Sequence, residues 1–442
     1  MTWLTTPLRL RHGLSLLAAC ASVATSLGAQ RADTAGVGAA LAAFQSRCRE
    51  TAASLWGTRL CGGIVLVDPS SRVVVTNRRL PDAGLSAAGS LWVGRLPDSV
   101  MVANTAFQWH GEALAMVMLP LSSDDFDRTT LLAHESFHRI QKSLGLWIME
   151  QPSVHLDERA GRTWLRLEVQ ALAYALTTRG EAQRAHARAA LAFRAHRQRL
   201  FPDARAREDS LELQEGLAEH AGQVVASARS TLGPLRTVRT MDGVMRRPSY
   251  VRSFAYATGP AYGLLLDQFA PGWRTRIARV RSLAGLLTAA LGTPSRDTTE
   301  SALVALAQPY GYPAIDAAEA DREARRNAQL AAVRTTLVEG PVVRLTQRGV
   351  MRSFDPNTLI AMDSLGMAYP TGEFGAAWGK LVVSEGSDGA LLSSDFALLR
   401  IAGPPAIDGR TVRGKGWVLE LAEGWQLVPG ARAGDFEVRG RP

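Results

Sequence analysis

The chain reads as an α+β protein in which a mixed sheet leads into a long helical lobe and a small all-β domain follows. Three observations give this reading. Short apolar runs parted by turn residues fill residues 61–119, three-and-four apolar spacing takes over from Asp124, and near Glu339-Gly340-Pro341 the period changes from 3.6 to 2. At 442 residues the chain is too long for one core, and it divides into a leader (1–29), a mixed α/β sheet part (30–122), a helical lobe (123–335) and an all-β domain (336–442).

Residues 1–29 read as an export signal. Arg9, Arg11 and His12 form a positive head, residues 13–27 are apolar but too short to span a bilayer, and Leu27-Gly28-Ala29 offers a cleavage point before Gln30. Leu17-Ala18-Ala19-Cys20 is similar to the lipobox of bacterial lipoproteins, so the alternative is an outer-membrane lipoprotein anchored through Cys20. The apolar run continues past Cys20, which favours ordinary cleavage and a periplasmic or extracellular protein. In such a compartment Cys48 and Cys61 can pair as a disulfide; the alternative is two buried thiols.

The sheet part begins with a helix at 36–49 and continues with strands at 61–67, 72–76, 91–93, 101–107 and 113–119. Helices follow at 162–178, 181–200, 208–229, 262–269, 274–291, 298–306 and 315–333, most of them parted by Gly or Pro. Strands at 342–345, 359–362, 380–383, 396–401, 417–421 and 436–438 make up the last domain, where Trp378, Trp417 and Trp425 read as core aromatics rather than a ligand platform.

An apolar fraction of 46% and a charged fraction of 21% are those of an ordinary globular protein. The net charge of +9 is almost all arginine, scattered along the chain. Its densest run, 184–199, alternates with alanine at helical spacing and reads as a solvated helix face, so no nucleic-acid partner is expected.

Chemistry concentrates at His134-Glu135-Ser136-Phe137-His138. Two imidazoles four apart on a helix share one face and can hold one zinc ion, at about 2.1 Å from each nitrogen. Glu135 can then reach a metal-bound water without being a ligand, which is the place of a general base. Ser122-Ser123-Asp124-Asp125 supplies caps, Asp127 adds first-turn negative charge and Gly145 falls at the stop. The strand just before, through Met116-Val117-Met118-Leu119, suits a sheet edge along which an extended substrate lies.

A catalytic zinc site needs a third protein ligand. Glu215 is the favoured one, because Glu219 lies four residues on and can accept the free ring N–H of a liganding histidine, while Gly216 and Ala218 allow close helix approach. Glu168, in Leu167-Glu168-Val169, is the alternative ligand.

His134-Glu135-x-x-His138 with Glu215-Gly-Leu-Ala-Glu219 resembles the gluzincin metallopeptidases, with features of both their aminopeptidase-like and neprilysin-like members. The resemblance covers residues 113–270 and implies a zincin-like domain, Zn2+ (one per chain) and a peptide or protein substrate. Tyr256-Ala257-Thr258-Gly259 is similar to the stretch in which a gluzincin tyrosine donates a hydrogen bond to the oxyanion, a role that then falls to Tyr256. The interval from His138 to Glu215 is much longer than in the aminopeptidase-like group, which implies an inserted helical pair, and no Gly-x-Met-Glu-Asn stretch precedes the motif. The expected function is an exported zinc metallopeptidase; the alternative is a catalytically inactive zincin scaffold acting as a binding module at the envelope.

Overall fold

A computed structural model describes residues 24–149, 151–292, 299–346, 351–355 and 358–440. The expected leader lies outside the described residues as far as residue 23, Cys20 included. The chain forms two compact units, one from the residues up to Gly145 with Ala221–Thr231, the other from Leu146–His220 with Leu232 onward. The fold is mixed α+β with a β-rich C-terminal part.

In the first unit α1 (Ala24–Thr51) begins earlier than its sequence pattern indicates. The sheet that follows has β1 (Gly63–Val67), β2 (Val73–Thr76), β3 (Ser86–Ala88), β4 (Leu91–Arg95), β5 (Thr105–Trp109) and β6 (Glu112–Met118), in the order β3-β4-β2-β1-β6-β5. β1 runs parallel to β6 and is buried along its whole length, as a central strand covered on both faces should be. Val65, Val67, Val74, Leu114 and Met116 form the core on one face. The sheet leads into α2 (Asp125–Gln141), which carries the His-Glu-x-x-His stretch.

Asp124 caps α2 by accepting the Asp127 N–H at 3.0 Å, and after one 3-10 turn Gly145 ends the segment at φ 68°, where glycine pays no steric penalty. Arg47 of α1 reaches Asp125 at 2.5 Å and the Thr129 hydroxyl at 3.2 Å, fastening the two helices. Cys48 and Cys61 are joined by a disulfide that closes α1 onto the segment before β1. With a separation of 13 residues, the bridge should contribute about 3 kcal/mol. Cys48→Ser is expected to lower stability by that amount in urea unfolding, and unreduced, denatured wild-type protein should give no alkylation at either cysteine.

The second unit contains α3 (Arg159–Thr177), α4 (Gly180–Leu200), α5 (Ala204–Leu211) and a π-turn (Glu212–Gly216); the chain runs from that turn directly into α6 (Leu217–Ala226), whose residues from Ala221 onward belong to the first unit. The sequence pattern reads this last stretch as one helix from 208 to 229; the extra residue of the π-turn divides it. Beyond it lie α7 (Gly233–Met245), α8 (Ala255–Phe269), α9 (Arg274–Val280), α10 (Leu283–Leu291), α11 (Glu300–Ala307) and α12 (Tyr312–Arg334). α9 and α10 replace one expected helix, because Arg281 turns left-handed at φ 57° and Ser282 recaps by accepting the Gly285 N–H. α8 starts seven residues before its expected start and keeps Pro260 inside.

From Val342 onward, thirteen strands among the described residues make one seven-stranded and one six-stranded sheet. Val343, Leu399 and Ile401 face Phe374, Leu381 and Leu419 across their common core. Trp378 and Trp417 are buried there, donating to the carbonyls of Thr346 and Ala402, and Trp425 packs partly buried against them, as core aromatics do.

Candidate metal centre

α2 is amphipathic, and the side that carries Leu132, Ala133, Phe137 and Ile140 is buried together with His134 and Glu135, each only 5% exposed. The spacing of four brings the two imidazoles together edge to face, their planes at 73° and their Nε2 atoms 3.0 Å apart. At this distance one Nε2 can donate its proton to the lone pair of the other, and with both Nε2 atoms deprotonated the two facing lone pairs can share a cation. Two Nε2 atoms on one tetrahedral zinc are separated by about 3.4 Å, close to the observed spacing.

The outward nitrogen of His138 also has a partner. Nδ1 lies 2.9 Å from the Gln141 side-chain oxygen, which fixes the proton on Nδ1 and leaves the Nε2 lone pair for a ligand role. Gln141 lies outside the His-Glu-x-x-His motif, and its place three residues after His138 is the signal in the sequence that it shares the same helix face. Gln141→Leu should weaken zinc binding about ten- to a hundredfold at unchanged stoichiometry, measured by titration against a chromophoric chelator.

His134, His138 and Glu215 each offer one ligand atom, and the three atoms lie within 4.8 Å of one another. A His-His-Glu donor set of this compactness fits a catalytic zinc, which takes three protein ligands and keeps a fourth position open. Glu215 projects from the π-turn that precedes α6, and its Oε2 accepts a hydrogen bond from the Tyr256 hydroxyl at 2.7 Å. Glu219, one turn further on, is buried.

Glu168 is not part of this group. It lies at the centre of a buried charge cluster, where the Tyr262 hydroxyl donates to its Oε1 at 2.6 Å and Arg197 stands 2.6 Å from its Oε2. Arg194 and Arg197 of α4 bridge Glu168 to Glu208 and Glu212. All five side chains are at most 2% exposed. Burial raises the Glu208 carboxyl, but Arg197, Arg194 and the His155 hydrogen bond more than offset this and hold it well below the usual carboxylate range. Burial wins at Glu212 and pushes it upward against the pull of Arg194. The basic run of α4 therefore turns charge inward as well as outward, which its Arg-Ala spacing does not reveal.

The close approach expected of Gly216 and Ala218 to the metal helix is made elsewhere. A Cβ on Gly222 would stand 2.6 Å from the Thr130 carbonyl oxygen of α2, so Gly222 is where these helices meet. Gly216 instead packs backbone to backbone on Gly259 of α8, and Gly263 leaves room for the His220 ring. That ring is taken by Arg274, 2.8 Å from its Nε2, and by Asp267 at 3.4 Å. The sheet edge also differs from expectation. β6 lies inside the sheet between β1 and β5, and β5 is the edge strand on that side.

No known protein family, curated protein or solved structure matches this chain.

Proposed function

We propose that the chain is an exported zinc-dependent peptidase of gluzincin type, with one zinc held by His134, His138 and Glu215, and with the sheet and metal helix forming a zincin-like domain. The convergence of three ligand-type atoms, two from a His-Glu-x-x-His helix and one from a later helix start, carries the reading. Zinc in this place would supply Lewis acidity toward a substrate carbonyl and toward water. Glu135, beside His134 on α2, is the group that takes a proton and returns it to the leaving amine. A binding scaffold has no use for that carboxylate.

Tyr256 is the donor to the developing oxyanion. Its hydroxyl stands beside the Glu215 carboxylate, to which it gives its one proton at 2.7 Å, and its position there supports a turn of that proton to the oxyanion when substrate is bound. β5 offers an edge to which an extended peptide can add by main-chain hydrogen bonds. Export is supported by the leader-like first residues and by the Cys48–Cys61 bridge. No helix among the described residues is long and apolar enough to cross a membrane.

Digestion of a broad peptide library by the mature protein tests the proposal. Cleavage should stop with a zinc chelator and return with added zinc. Tyr256→Phe should lower it by about two to three orders of magnitude with zinc retained. A wild-type protein that holds zinc and cleaves no peptide would sink the peptidase reading in favour of a zincin-scaffold binding protein.

A further inference from the structure

A π-turn contains one residue more than an α-turn, so it rotates every later side chain by about 100° relative to a continuous α-helix. Here it is Glu212–Gly216, and Glu215 lies inside it. A widened turn of this kind persists only where its surroundings hold it. Three of its residues meet three residues of α8. Glu212 Oε1 accepts from the Thr258 hydroxyl at 2.6 Å, Glu215 Oε2 accepts from the Tyr256 hydroxyl at 2.7 Å, and Gly216 lies so close to Gly259 that a Cβ on Gly259 would stand 2.3 Å from its Cα.

Glu212 is held from the other side as well. Arg194 grips both its oxygens, at 2.7 and 3.0 Å, and is fixed in turn by Glu168 at 3.3 Å and Asp209 at 3.2 Å. A buried ionic cluster is weak evidence for stability, since apolar side chains of similar volume often serve as well. What this cluster supplies is direction. Glu212 is held by Arg194 on one side and by Thr258 on the other, and Gly216 at the other end of the turn rests on Gly259.

We infer that the π-turn is a positioning device for the Glu215 carboxylate, with Thr258 and Arg194, acting through Glu212, as its positioning residues. The inference rests on the metal-site reading of His134, His138 and Glu215. It assigns a purpose to the second half of the Tyr256-Ala257-Thr258-Gly259 stretch: the threonine anchors the turn that carries the ligand, and the glycine admits that turn's backbone.

Cobalt binding to the full-length, metal-free protein separates the two ideas. Thr258→Ser and Thr258→Ala both lose the methyl group and differ only in the hydroxyl. Thr258→Ala should bind Co2+ about ten- to a hundredfold more weakly than wild type and change the visible d–d absorption that reports ligand geometry, while Thr258→Ser restores both. Thr258→Val supplies a second hydroxyl-free variant should the alanine protein fold poorly. Wild-type protein that binds no cobalt would overturn the metal-site reading and this inference with it. Wild-type-like affinity and spectrum in a folded Thr258→Ala or Thr258→Val protein would overturn the positioning role alone.

Discussion

Glu135→Gln should lower peptide hydrolysis by about two to four orders of magnitude, the usual worth of a positioned acid–base group. The substitution keeps the size and helix propensity of the side chain, removes its basicity and touches neither histidine. Zinc content and the thermal midpoint should therefore stay near wild type. Steady-state kinetics on the best library peptide, with zinc measured on the same samples, provides the check. Hydrolysis that survives the substitution undiminished would place the chemistry elsewhere or in a contaminant.

The second large effect separates the two glutamates that sequence alone offers as third ligand. Glu168→Ala leaves Arg194, Arg197 and the Tyr262 hydroxyl without their common carboxylate in a site closed to water. Removing one partner of a buried ion pair costs about 3–5 kcal/mol, which lowers the thermal midpoint by roughly 6–20 °C in a unit of this size. The protein that remains folded should still bind one zinc. Glu215→Ala should do the opposite, abolishing stoichiometric zinc and shifting the metal-free midpoint far less, because Glu215 is only partly buried. Calorimetry of metal-free samples and metal analysis of loaded ones read both effects. An Ala variant at 168 that is folded but empty, beside a loaded one at 215, would reverse the ligand assignment.

Local signals determined a large part of this protein. The four-residue spacing of His134 and His138, the Asp124 cap and the Gly145 stop are short-range features, fixed by helix geometry and by orphan backbone groups wherever the helix lies. Alternation and turn residues likewise revealed the β-rich end, because strand period is local.

Tertiary contacts decided the rest. Glu168 and Glu215 look alike in sequence, as partly apolar helical stretches around a carboxylate; only packing places one among buried arginines and the other with two imidazoles. The π-turn, the inward face of α4 and the Gly216–Gly259 contact depend on what stands opposite each residue. The order of the sheet strands does too, and it moved the edge from β6 to β5. Periodicity records which face of an element is apolar. It does not record which neighbour that face meets, and a buried charge is assigned its partner only when distant segments fold together.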